Sequence, residues 1–170
     1  YNKELITMDK DQIYEYLNNN NIKYEISEHI AVYNMEEAHT IKLPYPNASA
    51  KNLFIRDDKK QNYYLLTVKG DKKVNLKEFK QNNHTRSLSF ASKDDLMSIM
   101  KLIPGAVTPL GILNDHDCKV QCFIDEEFFE APGLIGVHPN DNRATIFLKI
   151  NDLINILTAH GNKVVIYNFK

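Results

Sequence analysis

Lys51-Asn52-Leu53-Phe54-Ile55-Arg56 and Tyr63-Tyr64-Leu65-Leu66-Thr67-Val68 are separated by the polar turn Asp57 to Asn62. Their Leu, Ile, Tyr and Val content reads as two paired strands of a buried sheet. Further strands are expected at Tyr24 to Ser27, Leu88 to Phe90, Val120 to Ile124, Ala144 to Ile150 and Val164 to Phe169. Helices fall between them. Asp9 and Gln12 form a capping-box start for a helix carrying Ile13 and Leu17. Asn34 to Thr40 and Asn75 to Lys80 read as short helices. Ser92 caps a helix with Leu96, Ile99, Met100 and Ile103 at helical spacing, stopped by Pro104-Gly105. Asn151 or Asp152 caps a last helix with Leu153, Ile156 and Leu157, ended by Gly161. Strands outnumber helices and do not alternate strictly with them, so the expected class is α+β, a mixed sheet with helices packed outside.

The chain has 170 residues, with 43 % apolar and 25 % charged. That length suits one domain spanning residues 1–170, able to bury a core without disulfides or metals. No apolar run approaches the roughly 20 residues of a membrane-spanning helix. Tyr1-Asn2-Lys3-Glu4 shows no charged-then-apolar leader, and the expected setting is cytoplasmic, with no membrane partner. Twenty-one basic groups against 22 acidic ones give a net charge of −1. A protein that grips long nucleic acid through phosphates carries a basic excess, so DNA is not an expected partner and any RNA contact is local. Gly70-Asp71 breaks the chain between elements.

Cys118 and Cys122, near His116, invite a metal or redox reading. The alternation of Val120, Cys122 and Ile124 with Gln121 and Phe123 argues instead for a half-buried strand. Positions four apart on a strand are roughly 13 Å apart, too far for one disulfide or one zinc. Both are read as buried thiols.

The common catalytic signatures are missing: there is no G-x-S-x-G, Walker-type Gly-Lys-Ser/Thr, H-E-x-x-H or G-x-G-x-x-G. Three irregular segments at element ends remain: Ser49-Ala50-Lys51-Asn52, Gly105-Ala106-Val107-Thr108-Pro109, and Gly136-Val137-His138-Pro139-Asn140-Asp141-Asn142. Taken alone, each has a plain reading. Lys51 is a solvated charge, Gly105 to Pro109 a helix stop and turn, and His138 the end of a turn with Asn142 as its cap. His29, His39, His84, His116 and His160 read as surface or structural. Asp57, Asp58, Asp94, Asp95, Glu126 and Glu127 read as turns, caps and solvated faces, and Phe128-Phe129 as core or rim.

Together, Lys51-Asn-Leu-Phe-Ile-Arg-Asp57, Ser89-Phe-Ala-Ser92, Gly105-Ala-Val-Thr-Pro-Leu-Gly-Ile-Leu-Asn-Asp115 and His138-Pro-x-x-Asn-x-Ala-Thr145 resemble the freestanding prolyl-tRNA synthetase-associated editing proteins. These belong to the YbaK-type aminoacyl-tRNA deacylase superfamily. The resemblance runs in order from about Asn18 to the C-terminus. It implies a curled, barrel-like mixed sheet and hydrolysis of the ester between a wrong amino acid and tRNA, most closely alanine on tRNA specific for proline. Cysteinyl or seryl esters, or a non-catalytic module that binds an amino acid or tRNA end, are the competing readings. The implied partner is the aminoacylated tRNA acceptor end, with prolyl-tRNA synthetase as a second. No metal or organic cofactor is implied.

By the same resemblance, Lys51, Gly105, Thr108 and His138 carry catalysis, and Asn52, Ala106, Val107, Pro109 and Asn142 bind substrate. The chemistry is sound, because an aminoacyl ester is already activated and needs chiefly orientation, one water and a stabilised oxyanion. A lone lysine can neutralise the terminal phosphate or lie near the ester carbonyl. A glycine and proline four apart fix a loop whose backbone groups turn inward. Small walls at Ala106, Val107 and Thr108 would exclude proline while admitting alanine. Two positions depart from the family pattern: Asn140 stands where an apolar residue is usual after His-Pro, and Asn75 where Asp is commoner.

Overall fold

Residue 63 onward sets the frame, because the alternating side chains of one strand feed two different cores. In a computed structural model describing residues 7–31, 33–38, 41–70 and 72–170, the strand β3 (Tyr63–Lys69) lies between β2 (Ala50–Asp57) and β5 (Val120–Asp125). Tyr63 and Leu65 enter the larger core with Phe54, Val120, Cys122 and Ile124. Tyr64, Leu66 and Val68 point the other way, into an aromatic cluster with Phe79, Phe123 and Phe169. The period of two on a sheet covered on both faces explains why six consecutive residues of β3 are buried.

The other elements are α1 (Lys10–Asn19), β1 (Tyr24–Glu28), α2 (Met35–Ala38), α3 (Leu76–Asn83), β4 (Leu88–Phe90), α4 (Lys93–Met100), β6 (Leu134–Val137), β7 (Ala144–Lys149), α5 (Ile150–His160) and β8 (Val164–Tyr167). One sheet has five strands in the order β4-β2-β3-β5-β8, antiparallel on the β4 side and parallel from β3 to β8. The second is antiparallel, in the order β1-β7-β6. Leu17 of α1, Leu96 and Met100 of α4, and Leu153 and Leu157 of α5 pack into the larger core with Ile135 and Ile146 of the smaller sheet. Phe79 of α3 covers the opposite face of the larger sheet.

The class is α+β as expected, but the described strands form two sheets rather than one closed barrel. Among the described residues a parallel backbone bridge between Ser49 and Gly136 links them, and they share the larger core.

Local chemistry accounts for the helix starts. Asp9 accepts from the Gln12 amide at 3.1 Å while the Gln12 side chain accepts from the Asp9 amide at 3.0 Å. Asn34, Asn75 and Ser92 each accept from the amide three residues on.

Several expectations need correction. α4 ends at Met100, because Lys101 takes the left-handed conformation with φ 56° and its amide returns to the Met97 carbonyl. Ile103 therefore lies beyond the helix and is 50 % exposed. Neither Asn151 nor Asp152 caps α5; the helix starts at Ile150, whose N–H donates to the Gly133 carbonyl oxygen at 2.9 Å. β6 lacks any alternating run and takes its shape from its ladder with β7. In β1, Ile26 is exposed, while Tyr24 packs against the larger core.

β5 is buried on both faces rather than one, because β3 and β8 flank it and both cores cover it. Cys122 is buried and Cys118 is not: Cys118 stands on the exposed approach to β5 with φ 51°. Both thiols are free. Tyr1 to Glu4, His39, Thr40 and Asp71 lie outside the described residues. Among the described residues no helix is long and apolar enough to cross a membrane.

Candidate active site

A cavity of about 560 Å³ opens where the two sheets meet. The larger sheet supplies Ala50, Lys51 and Asn52 from the start of β2, and Gly70 from the end of β3. The register that sets Lys51 against Val68 and Asn52 against Thr67 holds this wall. Asn52 Oδ1 accepts from Thr67 Oγ1 at 2.7 Å, and Gly70 N–H donates to the Ser49 carbonyl oxygen at 2.7 Å. Behind Gly70, the buried Asp125 accepts from the Lys69 amide at 3.0 Å and from Lys72 Nζ at 2.7 Å. Burial opposes the charge of Lys72, but its bonds to Asp125 and Glu127 outweigh this and raise its pKa.

The smaller sheet supplies the facing wall: Gly136, Val137 and His138 from β6 and its exit, and Thr145 from β7. His29, just after β1, joins them. Gly136 is required there, since a methyl on it would sit 2.7 Å from Phe147 Cε1 and 3.3 Å from Thr145 Cγ2. His138 Nδ1 lies 2.8 Å from the Ala144 carbonyl oxygen. A carbonyl only accepts, so Nδ1 carries the proton and Nε2 is the ring's acceptor in the neutral form. Burial pushes the His138 pKa down from 6.5; the Ala144 bond opposes this and neighbouring His29 reinforces it. The ring therefore stays neutral to a lower pH than a solvated histidine.

The third contribution is the loop after α4. Gly105 has φ 89°, and a methyl there would meet Tyr33 Cδ1 at 2.8 Å, so only glycine suits both the backbone and the neighbour. Val107 also lines the cavity, as do Tyr33, Asn34, Ile41 and Leu43.

Of the residues singled out from sequence, Lys51, Asn52, Gly105, Val107 and His138 converge on this cavity. Ala106, Thr108, Pro109 and Asn142 are buried and do not line it. The walls expected at Ala106 and Thr108 therefore belong to other residues. Thr108 ties the loops together, its hydroxyl donating to the His138 carbonyl oxygen at 2.7 Å. The Ala106 amide is committed to the Ile103 carbonyl oxygen at 3.1 Å. His29 and Thr145 were missed as a pair. The second lies inside the quoted His-Pro-x-x-Asn-x-Ala-Thr run, but the first gains its meaning only from the pairing of β1 with β7.

A cavity at the seam of two sheets, lined by an ammonium group, a half-buried imidazole kept neutral to lower pH and a glycine-initiated loop, is an arrangement for binding a small polar ligand and stabilising charge on it. The chain belongs to the aminoacyl-tRNA editing domain family, which residues 29–156 match. It is 40 % identical over 141 residues to the prolyl-tRNA editing protein ProX of Acetoanaerobium sticklandii, covering 83 % of this chain and 85 % of that one. It is 33 % identical to prolyl-tRNA synthetase associated domain-containing protein 1 of Mus musculus, over 87 % of this chain and 89 % of that one. A crystal structure described as "a putative trans-editing enzyme for prolyl tRNA synthetase" shares the fold, with a TM-score of 0.67 at 18 % identity over 98 % of this chain and 99 % of that one.

Proposed function

We propose that this protein is an aminoacyl-tRNA deacylase that edits mischarged tRNA for proline in trans, removing alanine from the 3′-terminal adenosine. The observation that carries the reading is the meeting of Lys51, Gly105 and His138 in one cavity of a chain belonging to an editing family. Water attacks the ester carbonyl carbon, the acyl C–O bond breaks, and free amino acid leaves the ribose hydroxyl of the tRNA.

Lys51 neutralises the phosphate or the developing oxyanion. With the Ala106 amide already spent, the oxyanion contacts of the loop fall to the backbone of Gly105 and Val107. His138 Nε2 orients the attacking water through its lone pair. Val107 limits the room for the side chain, and Thr108 and Asn142 support the loops from behind. The acceptor end of the tRNA is the binding partner, and prolyl-tRNA synthetase is the enzyme whose errors would be corrected. A pocket built for proline excludes smaller alanine poorly, since one methylene is worth about 1–3 kcal/mol, which gives a second enzyme its purpose.

Deacylation measured on a panel of tRNAs carrying alanine, serine, cysteine and proline tests the reading. Alanine-selective turnover on tRNA for proline is the expected result. Another preference changes the substrate, and binding without turnover removes the enzyme. Val107→Ala is expected to admit larger amino acids; unchanged selectivity would move the wall elsewhere.

A further inference from the structure

The cavity contains two polar groups without a role in this scheme, and their hydrogen bonds run in a fixed direction. His29 Nε2 lies 2.8 Å from Thr145 Oγ1, and His29 Nδ1 lies 2.7 Å from the Ile30 carbonyl oxygen. Because the carbonyl can only accept, Nδ1 holds the proton of the neutral ring, and Nε2 accepts from the Thr145 hydroxyl. A hydroxyl has one proton. With that proton turned to His29, what Thr145 offers any further partner is its oxygen lone pairs.

His138 is locked in the same sense by the Ala144 carbonyl, and its ring meets His29 edge-on at 6.0 Å. The smaller sheet thus brings two acceptors to the cavity, while the larger brings Lys51, which only donates. β-Pairing fixes the arrangement: Ser27 stands against Thr145, and His29 N–H donates to the Arg143 carbonyl oxygen at 3.0 Å.

We propose that Thr145 accepts a hydrogen bond from the α-ammonium group of the aminoacyl substrate, and that His29 is the positioning residue that aims its oxygen. This rests on the deacylase reading for the substrate class. The complement is specific: an ammonium has three donors and no acceptor, so it requires acceptors from the wall. A ribose hydroxyl both donates and accepts, and is met equally well by Lys51 and Asn52.

The test is binding, so that it stands apart from turnover. The probes are 3′-deoxy-3′-alanylamido-adenosine and its propionylamido counterpart, which lacks only the amine. Wild-type protein is expected to bind the first about ten- to a hundredfold tighter, the range of a hydrogen bond to a charged group. Thr145→Val should remove most of that preference without altering affinity for the propionyl compound, and Thr145→Ser should retain it. His29→Ala should reduce the preference in the same direction, and the double variant should be no worse than Thr145→Val alone. If Thr145→Val does not fold, His29→Ala and Thr145→Ser give the same comparison.

Equal binding of the two probes by wild type, no binding of either, an unchanged preference in Thr145→Val or His29→Ala, or additive losses in the double variant would each overturn the proposal. Loss of preference for a 2′-deoxy probe in place of the amine would reassign Thr145 to the ribose and overturn it too. An amine preference in a protein that deacylates nothing would instead sink the enzymatic reading while leaving this recognition intact.

Discussion

Asp115, ahead of β5, and His138, just after β6, are both polar groups held by hydrogen bonds, and they are satisfied in opposite ways. Asp115 accepts from the Lys119 amide at 3.0 Å, the Val120 amide at 2.8 Å and Asn162 Nδ2 at 2.8 Å. Asn162 donates again to the Val120 carbonyl oxygen, and its own oxygen lies 2.6 Å from His160 Nδ1. This knot spends its bonds internally and anchors the entry to β5. His138 spends one ring nitrogen on the Ala144 carbonyl and keeps the other as an acceptor in a cavity wall. Saturated polar networks hold a fold; a wall that keeps an acceptor in reserve can receive a ligand.

The comparison is most severely tested at the cavity. Lys51→Ala is expected to lower deacylation by about a hundred- to a thousandfold, the scale of losing one preorganised electrostatic contact, with little movement of the thermal midpoint. Wild-type turnover in that variant would remove Lys51 from the chemistry. Asp115→Ala should do the reverse. It strands two amides and the Asn162 side chain, costing about 3 kcal/mol in denaturant unfolding, while turnover per folded molecule stays unchanged. Gly136→Ala should affect both quantities, because its methyl would press on Phe147 and Thr145 together. Overpacking of this kind costs about 1–3 kcal/mol, and a variant losing stability alone would show that the crowding is relieved away from the cavity.

The smallest effect is in pH. The folded pKa of His138 lies below 6.5, so the unfolded chain binds this proton first as pH falls. Stability therefore rises with pH between the folded value and 6.5, and is flat with respect to this group above that window. The acid limb of activity belongs at the folded value, hence below pH 6.5. A limb at or above 6.5 would separate His138 from the rate.

What could be read from the sequence follows the range of the interactions involved. The caps at Asp9 and Ser92 lie within three residues of the amides they satisfy, so they are legible locally. The strands β2 and β3 carry their own composition. Lys51, Gly105 and His138 were reached through ordered motifs, although nothing local brings them together. β6 was missed because four residues including a glycine have no signature without their partner β7. The start of α5 was misplaced because the group that serves its first amide is the distant Gly133 carbonyl. His29 was read only as surface or structural because its bond to Thr145 spans 116 positions of chain. Thr108 was assigned to the wall, yet its hydroxyl turns back to the His138 carbonyl.

The bridge between Ser49 and Gly136 has a consequence for how activity and integrity are linked. The ammonium belongs to one ladder and the imidazole to the other; among the described residues one backbone bridge links the ladders, and the shared core of Leu65, Ile135 and Ile146 does the rest. A small shift at this seam would leave each sheet's own pairing intact, so an assay of secondary structure is a poor gauge of it. Turnover needs both walls in register, which makes the reaction itself a sensitive gauge of whether this seam is closed.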